Sequence, residues 1–415
     1  MTGGDPPVIQ AQDCQKAGCR QHGRIGNSCR LISAGRGMPR PGQKGGGMEK
    51  NLVSEEEMRE VYESLRTPCK VGMVLAEEGV LMDCPNVFAR PDGIFGMIYV
   101  RFRPDSKMPG YETWLAVSSD LIHWEPQGKL LTQNLPDRET ADARGGKTAG
   151  DGKTAGQESA LSGTELTRNG IRPGWDCCQK DGSLCLIDPA WGGTLAPERW
   201  DGKYWMSYIG GALPGYETDP LRIGMASADE IRPDAFSCLP LPVLAENDPD
   251  ARAFERTTLY KSCVVRDRAE TLGAPFVMFY NAKSQPFSIE RIGIAVSRDM
   301  VYWQRVGGGA VLENGITDRW NIAGDPQLLW MEDCSLWVMN YYFAGDGTAY
   351  DTFACSRDLI HWTKWDGAPL VSPSEDYDAR FAHKPFVFRH NGTVYHFYCA
   401  VSEQGRGIAL AVSRL

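Results

Sequence analysis

Five short segments of this 415-residue chain place a polar or ionisable residue at the start of a strand-like run: MDCPNVF with Asp83, IDPAWGG with Asp188, FERTTLYKS with Glu255, GDPQLLW with Asp325 and AHKPFVF with His383. Carboxyl groups gathered in one small volume can share acid–base work. One protonates a departing oxygen while another activates water, because burial and neighbouring charges move their pKa values across the working pH. A lone Asp beside Pro more often only closes a turn. A scaffold, however, has no reason to keep unlike residues at one recurring position.

The recurrence lies in the elements that carry these residues. WLAVSSDLIHW (114–124), IGMASADEI (223–231), IGIAVSRDMVYW (292–303), FACSRDLIHW (353–362) and IALAVS (408–413) are variants of one phrase, a β-patterned run followed by a Ser-x-Asp-like turn, three of them closing on Trp. Each opener precedes the Ser of its phrase by roughly 30 to 42 residues, and a fixed internal period marks a repeat fold. PGYET occurs at 109–113 and again at 214–218, the same offset that separates Asp83 from Asp188, so the first two units align without a gap. Between opener and phrase lie runs such as GIFGMIYVRF (93–102) and SLWVMNYYF (335–343), rich in aromatic and β-branched residues and too short for buried helices. With a fourth strand such as GKLL or APLV, the expectation is an all-β chain, a five-bladed β-propeller of four antiparallel strands per blade. First strands of propeller blades line the central channel, so the openers would converge there.

Composition narrows the partners. A formal net charge of −9 and a pI near 5.3 disfavour nucleic acid and anionic membranes, because phosphate binding needs a basic face. No run approaches the roughly 18–20 apolar residues of a membrane span. The 13 Cys are odd in number and irregularly spaced. Cys263, Cys355 and Cys399 sit singly within strands, and together this points to a reducing, cytoplasmic setting. Cys14, Cys19 and Cys29 lack the His pair or second CxxC of a zinc site, and Cys177 and Cys178 are not read as a redox centre.

Two segments stand outside the repeat. Residues 1–47 are rich in Gly, Pro, Arg and Cys without an apolar stretch, and are read as a disordered or misassigned leader before Met48. Residues 48–73 form a lead-in with a helix over about 54–66, begun by Ser54 and an acidic first turn. The catalytic propeller is expected over 74–415, interrupted by a flexible insertion over 133–172 that holds a tandem KTAG.

The openers resemble those of the five-bladed propeller glycoside hydrolases, the superfamily of family 43 with relatives in families 32, 62, 117 and 130. MDCPNVF matches the Asp near the start of blade one, IDPAWGG the Asp-Pro opener, and ERTTLYK the Glu-bearing segment, with Arg256 and Thr257 where the family has Gly-Pro. The resemblance implies a glycosidase in which Asp83 is general base, Glu255 general acid, and Asp188 raises the acid's pKa by like-charge repulsion. It implies inversion, as in family 43. It needs no cofactor, although His383 stands either as an axis histidine ordering water or a structural Ca²⁺ ion, as in several relatives, or as a satisfied core histidine.

Trp191, Tyr111, Tyr216 and Trp320 are candidate sugar platforms, while Trp124, Trp303 and Trp362 pack between blades and His123 and His361 belong to turns. Asp325 is a candidate substrate contact, and Arg252, Lys261, Arg380 and Lys384 are candidates for binding hydroxyls, a carboxylated sugar or phosphate. The substrate expected is a small oligosaccharide. Two other readings stay open: a phosphorylase or transglycosidase on the same fold, and a non-catalytic sugar-binding propeller.

Overall fold

The computed structural model describes residues 52–104, 110–133 and 167–414. The leader expected over 1–47 and most of the insertion expected over 133–172 lie outside the described residues. The helix α1 (Glu55–Leu65) starts at Ser54, whose hydroxyl accepts from the Glu57 amide at 3.3 Å while the Glu57 carboxylate accepts from the Ser54 amide at 2.9 Å. This reciprocal cap satisfies two amides that no helical turn can reach. Met58, Val61 and Leu65 form its apolar stripe and, with Val53, pack on Leu329, Met331, Leu336, Val338 and Phe353.

Apart from two short 3₁₀ turns, Ala253–Glu255 and Glu332–Cys334, the other regular elements among the described residues are strands. After β1 (Cys69–Leu75) come β2 (Leu81–Ala89), β3 (Phe95–Phe102), β4 (Glu112–Ser118) and β5 (Glu125–Leu131), paired in that order as one antiparallel sheet. β6 (Gln179–Leu184), β7 (Tyr204–Gly211), β8 (Arg222–Ala228) and β9 (Ser237–Cys238) form a second. An eight-stranded sheet follows, in which β10 (Thr258–Arg266), β11 (Phe276–Ser284), β12 (Ile289–Ser297) and β13 (Trp303–Arg305) make one antiparallel set. Its other set is β14 (Asn321–Met331), β15 (Leu336–Gly345), β16 (Thr348–Ser356) and β17 (Thr363–Lys364). Only a two-residue parallel contact joins them, Ile289 to Asn321 and Glu290 to Ile322. Finally β18 (Phe381–His390), β19 (Thr393–Ser402) and β20 (Gly405–Val412) pair in sequence, and β1 closes on β20. The first described strand thus completes the last sheet, tying the start of this β domain to its end.

The sheets pack face to face in chain order. Leu115 and Ile98 of the first meet Met206 and Tyr208 of the second. Ile223 and Met225 meet Phe276 and Met278, Phe279 and Ile294 meet Met339 and Ala354, and Leu329 and Phe353 meet Val387. Phe386, Phe397 and Leu410 return to Val87, Met97 and Tyr99 of the first. Each sheet therefore buries both faces, which is why its central strands read as nearly continuous apolar runs.

The repeated phrase is a turn device. Ser118, Ser297 and Ser356 accept from amides two and three residues on, while Asp120, Asp299 and Asp358 accept from the next two. The Trp124, Trp303 and Trp362 indoles donate to the carbonyls of Leu121, Met300 and Leu359, which adopt positive φ. His123 and His361 sit 2.7 Å from Asp120 and Asp358 in these same turns. Among the described residues no helix is long and apolar enough to cross a membrane.

Candidate active site

The innermost strands β2, β6, β10, β14 and β18 bring Cys84, Asp181, Lys261, Asp325 and Lys384 together at the centre. The Cys84 Sγ lies 3.6 Å from the Asp181 carboxylate, 3.5 Å from Asp325 and 3.6 Å from the Lys384 ammonium, and Lys261 is ion-paired with Asp181. Three of these residues share a backbone device. Cys84, Asp325 and Lys384 have φ of 54°, 48° and 64°, each precedes a Pro, and the strand register slips at each. A non-glycine residue at positive φ is strained. Here a bulge, with a Pro that cannot donate to the ladder, aims the side chain down the channel.

This inner set is mixed in charge. Burial pushes the Asp325 carboxyl up to about 6, against the pull of Lys384 and Lys261. Above it lies Asp83. Burial works against its charge, but Lys384 at 2.9 Å and Arg406 at 2.9 Å outweigh burial and hold Asp83 well below the usual carboxylate range. The Tyr216 hydroxyl donates to the same carboxylate at 3.1 Å, and the Tyr216 ring rests edge-on against buried Tyr111, centroids 4.9 Å apart.

Next to this cluster stand two glutamates that the openers do not contain. Glu217 follows Tyr216 in the loop from β7 to β8, is 31% exposed, and lies 3.8 Å from Lys384 Nζ. Glu290 is the second residue of β12, with Lys283 of β11 directly opposite and Asn281 donating to its carboxyl at 2.6 Å. Burial pushes the Glu290 carboxyl up to about 8; the negative charge of Glu217 adds to this and Lys283 opposes it. Burial, and then the charge of Glu290, also hold the hydroxyls of Tyr260 and Tyr342 well above their ordinary value. A buried carboxyl whose pKa is raised thus stands near a second carboxyl group that reaches solvent. Lys283 is in turn held by Asp219 at 2.7 Å.

Two of the residues expected to be catalytic are elsewhere. Asp188 lies past the end of β6, in the loop to β7, where its carboxylate accepts from the amides of Ala190 and Thr194 and from the Thr194 hydroxyl. Its neighbour Trp191 donates its amide to the Trp330 carbonyl at 2.8 Å and packs in the apolar layer under α1. Trp330 is five residues beyond Asp325 on β14, roughly 17 Å at strand rise. Asp188 and Trp191 therefore lie toward the opposite end of the channel from Asp325.

Glu255, fully buried at 0% exposure, is spent on Arg252 at 2.5 Å, Arg305 at 2.9 Å and the Tyr280 hydroxyl at 2.6 Å. It precedes β10 rather than lying in it, and it holds the third sheet's edge to the loop around Asp248, which Arg305 also grips at 3.0 Å. Arg252 is consumed by the same network, donating to the carbonyls of Val306 and Gly309. Neither is free to meet a substrate.

The Ca²⁺ ion considered beside His383 does not fit. The ring bonds the Cys399 carbonyl at 3.1 Å, its charged neighbours are Lys384 and Arg406 as well as Asp83, and no cluster of His, Cys, Asp or Glu among the described residues is arranged to hold a metal. Burial drives the His383 imidazole down to about 3, so it is neutral.

The missed residues left weak traces. The offset shared by PGYET and Asp83/Asp188 equates a residue of an inner strand, Asp83, with a residue of the following loop, Asp188. The β6 residue in line with Cys84 is Asp181, in a KDGSL string that reads as a turn because a buried strand there carries Asp-Gly. Glu217 lies inside the second PGYET, and Glu290 two residues ahead of the phrase at 292–303, beside Arg291.

No family model and no curated protein matches the chain. Among solved structures, it is similar to BT0996 in a complex with RGII, at 37% identity and a TM-score of 0.74 over 88% of this chain and 96% of that one. A second structure, a glycoside hydrolase, matches at 36% identity and a TM-score of 0.74 with the same coverage. This chain belongs to the propeller glycoside hydrolases. More distant members share the fold alone: Zg3597 of Zobellia galactanivorans, a family 117 enzyme, matches at 12% identity and a TM-score of 0.52 over 84% of this chain and 91% of that one. A structure from the GH130 family of mannoside phosphorylases matches at 13% identity and 0.51, over 81% and 85%. The candidate site of this propeller glycoside hydrolase is the cluster around Asp83, Lys384, Glu217 and Glu290.

Proposed function

We propose that this propeller glycoside hydrolase, read as five blades, cleaves a glycosidic bond in a carbohydrate of the RGII kind, with Glu290 as general acid and Glu217 as the second carboxylate. The observation that carries the reading is the contrast between the two: a buried carboxyl pushed up to about 8 beside one that reaches solvent. Environments that separate two carboxyl groups in this way divide the roles of proton donor and of base or nucleophile. Asp83 serves as a fixed anion, locking Lys384, Arg406 and Tyr216 in place around the pair.

Glu290 gives its proton to the departing glycosidic oxygen. Water then replaces the leaving group, with Glu217 taking a proton from that water. Inversion at the anomeric carbon follows if the water stands between Glu217 and the sugar, retention if Glu217 attacks directly. The proposal is inversion, carried by the resemblance to family 43, and proton NMR of the first-formed anomer decides it. The phosphorylase reading is less favoured because Lys384, Arg406 and Lys283 are each engaged with a carboxylate, whereas phosphate binding draws on cations that face the substrate.

The test is a screen of RGII-derived oligosaccharides and aryl glycosides with and without inorganic phosphate, repeated on Glu290→Gln and Glu217→Gln. Phosphate-independent hydrolysis that either substitution reduces by about 10²–10⁴ supports the reading. Sugar binding without turnover under every condition would mean a binding module.

A further inference from the structure

Resting on the assignment of Glu290, we infer that Phe287 and Trp320 form an aromatic rim that binds the leaving-group side of the carbohydrate, the sugar lying beyond the bond being cut. Among the described residues, large apolar side chains left exposed are few. Phe287 at 44% and Trp320 at 42% belong to two different loops, one between β11 and β12 and one before β14.

The parallel contact of β12 with β14 brings those loops side by side. Ile289 pairs with Asn321 and Glu290 with Ile322, so Phe287 and Trp320 sit just before two paired positions. Neighbouring strands are about 4.8 Å apart and residues rise about 3.3 Å each. Both rings therefore start within roughly 10 Å of the backbone of Glu290.

Both loops are fixed. The Asn321 amide donates to the carbonyls of Ile316 and Arg319 at 3.1 and 3.0 Å, and Asn314 donates to the Ile322 carbonyl at 2.8 Å. Arg319 pairs with Asp346 of the β15–β16 turn at 3.0 Å. On the other side Arg291 bonds the Ser284 hydroxyl at 3.3 Å across the base of the Phe287 loop. Trp320 and Phe287 are thus carried on held backbone, as a platform must be if stacking is to add affinity rather than cost ordering entropy.

Position selects the occupant. A general acid stands on the leaving-group side of the scissile bond, because the oxygen it protonates belongs to the departing sugar. Rings flanking the acid therefore face the departing sugar, whose C–H face packs on an aromatic surface. The chemistry recognised is a further pyranose or furanose unit with one apolar face.

The experiment compares kcat/KM on an RGII-derived oligosaccharide with kcat/KM on the fluoride of its terminal sugar, whose leaving group is too small to reach the rim. Trp320→Ala and Phe287→Ala should each lower the oligosaccharide-to-fluoride ratio about tenfold, the worth of one aromatic contact, mainly through KM. Trp320→Tyr should restore the ratio and Trp320→Leu should not. Glu290→Gln and Glu217→Gln run alongside. If both keep wild-type activity on the oligosaccharide, the site assignment fails and the rim falls with it. If they lose activity while the ratio stays unchanged in the double rim variant, the rim alone is overturned.

Discussion

The sharpest consequence of the site is that Glu290 carries its proton at neutral pH, and Glu290→Gln isolates it. A carboxyl raised from 4.5 to about 8 is roughly nine-tenths protonated at pH 7, where an unperturbed one would be below 1%. At 1.36 kcal/mol per pH unit the shift is worth on the order of 5 kcal/mol. The sign for stability follows from proton binding: between about 4.5 and about 8 the folded protein holds a proton that the unfolded chain releases, so stability falls as pH rises through that window. Glutamine keeps the shape and cannot ionise. Thermal melts of both proteins should nearly coincide at pH 4.5, and by pH 8 the variant should be the more stable by a few kcal/mol. In activity, Glu290→Gln should cost about 10²–10⁴ on an oligosaccharide and far less on an aryl glycoside whose leaving group needs little help. The basic limb of the wild-type pH–rate profile should fall near 8. Lys283→Met removes the positive charge that opposes the shift and should move that limb to higher pH, whereas Glu217→Gln removes a negative charge and should lower the Glu290 pKa. A stability gap that does not change between pH 5 and 8, together with a limb that ignores Lys283→Met, would refute the argument.

Other substitutions separate structure from catalysis. Glu255→Gln strands Arg252 and Arg305 in the core, so urea unfolding should show a loss of about 3–5 kcal/mol while activity per folded molecule stays within a few-fold. Asp83→Asn leaves Lys384 and Arg406 without their shared anion. It should reduce both melting temperature and rate. Its effect on stability should shrink as acid protonates wild-type Asp83 below the usual carboxylate range, because that contribution is present above the unfolded pKa and lost on acidification. Asp188→Asn weakens only a turn, and kcat/KM should stay within twofold of wild type with a stability loss of about 1 kcal/mol.

The sheet pattern was legible because it is written in local chemistry. Ser-x-Asp turns and closing tryptophans hydrogen-bond within five residues of themselves, alternating and continuous apolar runs state which faces are buried, and Ser54 with Glu57 caps α1 from neighbouring positions. The X-Pro steps at Cys84, Asp325 and Lys384 are local signals of the bulges that turn these three residues into the channel. The chemistry of the site was not local. The Glu290 carboxyl is raised only because tertiary packing removes its water and the Glu217 loop adds a like charge. Glu255 loses that role because Arg305, fifty residues on, folds back to neutralise it. Asp188 matched the expected string yet fell at the wrong end of the channel, since the strand ahead of it ends at Leu184. Sequence determined which residues could ionise and where strands turn; tertiary structure decided which carboxyl is buried, which is paired, and so which one keeps its proton, because desolvation and charge pairing depend on distances that only the closed ring of sheets sets.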